Sequence, residues 1–234
     1  SEINFALGQF EKALVNMQRN LELGLGPEAN LSERWRSLNL ISRFFFKLKS
    51  YNSNIVFETE ALALAKALGD RTFEFTSLVD LGASYSALGD FDEALALIEE
   101  GKIVSESFVD IAYRNKCLAH TNLQLGHTNR QRKQYSKAID HFREAADYYD
   151  SGDFKVYSYE AHRGILLSSL SDSNDIEFQA ELPQVLALFK NYREEIIEEQ
   201  NRNSFFDNEQ DVYDIATEYE LSKSNFEKAF DFAE

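Results

Sequence analysis

The chain has 234 residues, 44% of them apolar, with ten glycines, two prolines, one cysteine and a formal charge of −16. This is enough apolar material for continuous cores, in one extended domain or two small ones, and too little glycine and proline for long linkers or a turn-rich β fold. The acidic balance excludes a general nucleic-acid binder, because neutralising phosphates takes clustered lysine and arginine. A lone cysteine excludes an internal disulfide framework and suits a reducing compartment. No signal peptide or long apolar span stands in these residues, so a soluble, cytoplasmic protein is expected, with no membrane partner.

Glu2–Gly24 reads as the tail of a first helix followed by a second over Phe10–Leu23. Gly24–Asn30, GLGPEAN, is a turn: Pro27 cannot continue a helix interior, and Asn30 is suited to cap the next helix. Leu31–Lys49 is one long helix carrying Trp35 and the run Phe44-Phe45-Phe46. Helical neighbours point about 100° apart, so three successive phenylalanines cannot share a face. Tyr51–Leu68 is its partner helix.

The stretch Leu78–Glu106 is the most regular. Leu78, Leu81, Tyr85 and Leu88 recur at helical steps, and Gly82 sits among them. A glycine there sacrifices about 1 kcal/mol of helix propensity, which predicts a close helix crossing. Gly89-Asp90 breaks the helix: Gly89 fits a left-handed terminator and Asp90 a cap. Phe91, Ala94, Leu95 and Ile98 then define a second helix, with Gly101 again allowing close packing.

Further on, Ser107–Asn129 and Tyr135–Tyr149 form another pair, and Ser151-Gly152-Asp153 is a turn. Lys155–Leu170 follows, with Gly164 at a close-packing place. Ser171–Asp175 is a polar turn, the helical pattern resumes at about Ile176, and Pro183 starts or kinks a helix near Gln184–Gln200. Asn201–Asn208 is a break before Glu209–Leu221 and Phe226–Phe232. Residues Glu194–Glu234 hold thirteen acidic and three basic side chains, so −10 of the −16 lies there.

The pattern repeats. A forward shift of forty-four residues places Gly126, Tyr135, Ala138 and Phe142 under Gly82, Phe91, Ala94 and Ile98; a backward shift of forty places Ser42 under Gly82 and Tyr51 under Phe91. LGQFEKAL at Leu7–Leu14 and SNFEKAF at Ser224–Phe230 echo LGDFDEAL at Leu88–Leu95. These residues resemble the tetratricopeptide repeat, in a variety longer than the usual unit of about 34 residues. The resemblance implies an all-α, right-handed superhelical solenoid of antiparallel helix pairs. Its approximate repeats are 1–30, 31–70, 71–109, 110–152 and 153–200, followed by a helix pair at 205–234.

The same resemblance implies a concave face lined by first helices. By register this face takes Arg36, Asn39, Arg43, Phe46 and Lys47 early, and His127 and Arg130 later, flanking a nearly neutral stretch around Val79 and Ala83. Phe45 is then the packing residue and Phe46 tends inward. Arg36, Arg43 and Lys47, seven and four apart, share roughly one helical side and would attract an acidic protein or peptide segment. Val79 and Ala83 depart from the lysine and asparagine set with which some relatives clamp a terminal carboxylate.

Ser204–Glu234 is similar to repeats that lead into a caspase-like CHAT protease domain. That implies an alternative role as the regulatory module of a protease or signalling protein, with the caspase-like domain as partner in cis. Self-assembly is a third reading.

The sequence carries no phosphate loop, HExxH or GxSxG motif. Cys117 and His120 offer too few ligands for zinc. The expectation is therefore a protein-binding scaffold, with no catalytic residue, cofactor or metal.

Overall fold

The computed structural model describes residues 30–195 except 153, and residues 211–233, with positions 19, 22, 24 and 26. The expectations for Glu2–Leu23, for the break at Asn201–Asn208 and for the first residues of the Ser204–Glu234 resemblance lie outside the described residues.

The described residues form helices α1 (Leu31–Lys47), α2 (Tyr51–Leu68), α3 (Arg71–Leu88), α4 (Phe91–Glu106), α5 (Ile111–Gln131), α6 (Tyr135–Tyr149), α7 (Lys155–Ser171), α8 (Asp175–Glu195), α9 (Asp211–Ser222) and α10 (Phe226–Ala233). They form antiparallel pairs in an all-α solenoid. Neighbouring helices in the chain pack on one another, and the first helices α1, α3, α5 and α7 also touch in succession. Each core therefore draws on three consecutive helices. Trp35, Leu38, Ala61 and Ala65 with Phe73 join α1, α2 and α3, whereas Leu123, Phe142 and Ile165 join α5, α6 and α7.

Among the described residues, all five turns within pairs share one backbone device. A residue one or two places past each first helix is left-handed: Lys49, Gly89, Lys133, Ser173 and Ser224 have φ of 57°, 87°, 63°, 57° and 60°. The next amide then bonds back five residues, from Ser50 to Phe45, Asp90 to Tyr85, Gln134 to Asn129, Asn174 to Ser169 and Asn225 to Glu220, at 2.8–3.0 Å. This is the Schellman closure, which satisfies carbonyls that a helix end leaves without donors. Only Gly89 advertises it in the sequence.

Caps follow the sequence in part. Asn30 accepts from the Glu33 amide at 2.9 Å while Glu33 accepts from the Asn30 amide at 3.0 Å, a reciprocal capping box. Asp70 accepts from the Thr72 and Phe73 amides at 3.0 and 3.1 Å. Asp90 stands at the cap position of α4 with its side chain making no capping bond; its ψ of 72° falls short of the extended values at Asn30 and Asp70.

Of the two roles expected of Pro183, it does not start a helix: it lies inside the continuous α8. Its missing N–H leaves the Gln179 carbonyl without its helical donor; independently, the Gln179 side chain donates to the Tyr219 hydroxyl at 3.0 Å, tying α8 to α9.

The glycines mark helix crossings. A methyl at Gly82 would meet the Ala94 carbonyl at 3.1 Å and run into Ile98, and one at Gly101 would lie 2.9 Å from Val79. Phe142 is closed in from two sides. Both Gly126 of α5 and Gly164 of α7 leave room for its ring, and a Cβ on either would come within 2.6 Å of it. The register relating Gly82–Ile98 to Gly126–Phe142 is thus a physical contact repeated.

The same register places Glu58 of α2 where α4 has Ile98. Glu58 is fully buried. The Asn39 amide donates to both its oxygens at 3.2 Å and to Asp80 at 3.1 Å. Beside it Asn54 donates to the Ser42 carbonyl and hydroxyl at 2.9 and 2.7 Å and accepts from Ser84. The α1–α2–α3 crossing is held by a polar network on one flank of an aromatic one.

Candidate protein-binding face

The first helices α1, α3, α5 and α7 carry a strip of charged and polar side chains connected from one pair to the next. Asn39 donates to Asp80 from α1 to α3, Ser86 to Gln131 from α3 to α5 at 3.0 Å, and His127 pairs with Glu160 from α5 to α7 at 2.9 Å. From α7 to α9, Arg163 donates to Asp211 at 2.5 Å.

Charges along the row act on one another. Burial alone would raise the Glu160 pKa, but the hydrogen bond and charge of His127, with smaller contributions from His120 and Lys47, hold it below the usual carboxylate range. Lys47 belongs to α1 and Glu160 to α7, so charges on these two first helices bear on one another. Burial pushes the His120 pKa down, opposed by Asp80 and Glu160 and reinforced by Arg43.

The residues assigned to the face by register occupy different situations. Arg43 and Lys47 are exposed on α1, and their charges bear on His120 and Glu160. Arg36 is exposed too, with its guanidinium 5.7 Å from the Phe73 ring centre, on a ring that also stacks with Trp35 at 3.8 Å. Asn39 is buried, its amide committed to Glu58 and Asp80. Phe46 is half-buried with its ring edge-on to Tyr51 at 5.4 Å, while Phe45 stacks on Phe57 at 5.5 Å. His127 reaches Glu160 and stands edge-on to Phe142 at 5.0 Å. Arg130 is half-buried one turn further along α5.

Asp80, Glu160, Arg163 and Asp211 were not singled out in the sequence, yet all belong to this strip. The available signal was position: Asp80 lies two residues before Gly82, and Glu160 and Arg163 lie four and one before Gly164. Cys117 is buried and burial pushes its thiol pKa up, away from a reactive thiolate. Among the described residues no group of three or more histidine, cysteine, aspartate or glutamate side chains could hold a metal ion. Among the same residues no helix is long and apolar enough to cross a membrane.

A tetratricopeptide repeat family model matches residues 75–106. No curated protein matches the chain. The crystal structure of BtubC (BKLC) from P. vanneervenii superposes with a TM-score of 0.65 at 15% identity, covering 99% of this chain and 88% of that one. The crystal structure of a Q17M kinesin-light-chain-like protein of nearly identical TPR-like repeats, from Podospora anserina, gives a TM-score of 0.58 at 13% identity, covering 80% of this chain and 90% of that one. At these identities the likeness is one of fold, a solenoid of helix pairs.

Proposed function

We propose that the chain is an interaction scaffold that holds a protein or peptide segment along the inner, first-helix face of its solenoid. The observation that supports this is the row of first helices joined through the polar side chains Asn39–Asp80, Ser86–Gln131 and His127–Glu160. The scaffold is ordered by its own packing, so a segment laid along it meets positions already fixed and loses less entropy on binding. Arg43 and Lys47 at one end of the strip and His127 and Arg130 further along favour an acidic segment. Asp80 of α3 between them and Glu160 of α7 beyond them give the face alternating charge, which selects register along the segment as well as sign.

The test is affinity capture from native cell extract with the chain and its Arg43→Glu/Lys47→Glu variant side by side, followed by binding measurements on the partner recovered. Loss of that partner from the variant, with affinity for the unaltered chain falling as salt rises, is the expected result. An unchanged affinity at low salt would remove Arg43 and Lys47 from the site.

A further inference from the structure

His162 of α7 is buried, and its ring joins the end of α6 to α8. On one side Nδ1 meets Glu181 of α8. On the other, Nε2 stands between two groups of opposite hydrogen-bonding character. Asp150 Oδ2, just past the end of α6, is 3.0 Å away, and the side-chain nitrogen of Gln184 of α8 is 2.9 Å away. A carboxylate accepts and an amide nitrogen donates, so Nε2 can serve Asp150 only with a proton and Gln184 only without one. Glu181 takes its hydrogen bond from Nδ1 in either case. Asp150 and Glu181 are the charged groups that bear on the ring, and Asp150 also accepts from the Ser158 hydroxyl of α7 at 2.6 Å. Burial by itself would lower the His162 pKa; the hydrogen bonds and charges of Glu181 and Asp150 outweigh it and hold it above the ordinary histidine value.

We propose that His162 is a proton-operated latch at the junction of α6, α7 and α8: charged, it ties Asp150 to α7, and neutral, it releases Asp150 and takes the Gln184 amide instead. The latch is independent of the scaffold reading above. It needs no new partner, because both states of Nε2 find one within reach. A lone pair turned toward the Asp150 carboxylate would repel it, which is what opens the latch. With the folded pKa above the unfolded value of 6.5, the Asp150 tie is fully present below 6.5 and is lost as pH rises through the folded pKa. The segment released is an aromatic turn, where Tyr148 stacks on Phe154 and Tyr149 on Tyr157. Helix α8 stays bonded to the ring throughout, so the change is confined to the α6 side of the junction.

The test is an NMR titration of the His162 ring in the full chain, together with hydrogen exchange of the Asp150, Ser151 and Gly152 amides, which bond back to Ala146, Tyr148 and Tyr149 at the end of α6. The expected midpoint lies above 6.5. Protection of these three amides, corrected for the intrinsic pH dependence of exchange, should fall as pH rises through that midpoint, while amides of α8 do not follow. Asp150→Asn should lower the midpoint and Gln184→Ala should raise it, since the first removes the partner of the charged ring and the second that of the neutral one. Protection at the end of α6 should fall by about tenfold for each unit by which Asp150→Asn lowers the midpoint. A midpoint at or below 6.5, or a ring that does not titrate before the chain unfolds in alkali, would overturn the latch. So would a midpoint that Gln184→Ala leaves unchanged or lowers, or amide protection at the end of α6 that ignores the midpoint. The midpoint and the amide protection of the original chain decide the matter even where a variant fails to fold.

Discussion

Two crossings of the same solenoid solve one packing problem in opposite ways. In the α5–α6–α7 crossing Phe142 fills the gap between helices, enclosed by Gly126 and Gly164. In the α1–α2–α3 crossing the position of corresponding register holds Glu58, equally buried and bonded by Asn39. The first is apolar, and its stability comes from apolar burial and close contact. The second depends on every polar group finding a partner, since a buried carboxylate is tolerable only when hydrogen-bonded or protonated. Similar backbone geometry therefore does not require similar core chemistry, and the two crossings should respond differently to truncation and to pH.

Truncating Phe142 to alanine should have the largest effect, about 3–5 kcal/mol lost in urea unfolding, because the two glycines cannot reach across the space left. A loss below about 1 kcal/mol would mean that the crossing collapses onto a smaller side chain. Glu58 should show itself through pH. Burial first, then the charge of Asp80, raise its pKa from 4.5 to about 7. Between those values the folded chain binds a proton that the unfolded chain has released, so this group's contribution to stability falls as pH rises through the window and stays low above it. Glu58→Gln should remove that loss: its stability relative to the original chain should improve by about 2–3 kcal/mol between pH 4.5 and 8. Equal pH slopes for the two proteins would show that Glu58 is ionised throughout.

A smaller effect belongs to the turns that both crossings share. Lys133→Gly relieves a left-handed lysine at φ 63° of its steric cost, and should raise the thermal midpoint by the equivalent of about 0.5–1 kcal/mol, the steric relief exceeding glycine's extra unfolded-state freedom. The smallest effect is expected at Lys66–Glu100, a 3.0 Å pair about half exposed on both sides; Glu100→Gln should change stability by less than about 0.5 kcal/mol.

The difference between the crossings also explains what the sequence discloses. The family model matches residues 75–106, the window that contains Gly82, Gly89 and Gly101, where close crossing, turn and second crossing are each written in glycine. Elsewhere the same turn is made by Lys49, Lys133, Ser173 and Ser224, whose left-handed backbone leaves no mark in residue type. Pro183 suggests a helix start because its ring and missing N–H break helical bonding, whereas it lies inside α8. On the proposed binding face, register selects Arg43, Lys47, His127 and Arg130, because charge at those positions of a first helix is readable. It also selects Asn39, whose side chain turns into the core to serve Glu58, since burial depends on what the partner helix supplies. Asp80, Glu160, Arg163 and Asp211 escape it, because each acquires its role from a helix one repeat away.

Phe142 has a consequence for how the molecule comes apart. In a solenoid, cooperativity is set by the terms that link neighbouring repeats, and one ring here touches the first helices of two of them at once. Helices α5 to α7 should therefore open in a single event, with their slowest amides exchanging at a common rate. Without that ring the array would melt as two shorter segments, each on its own schedule.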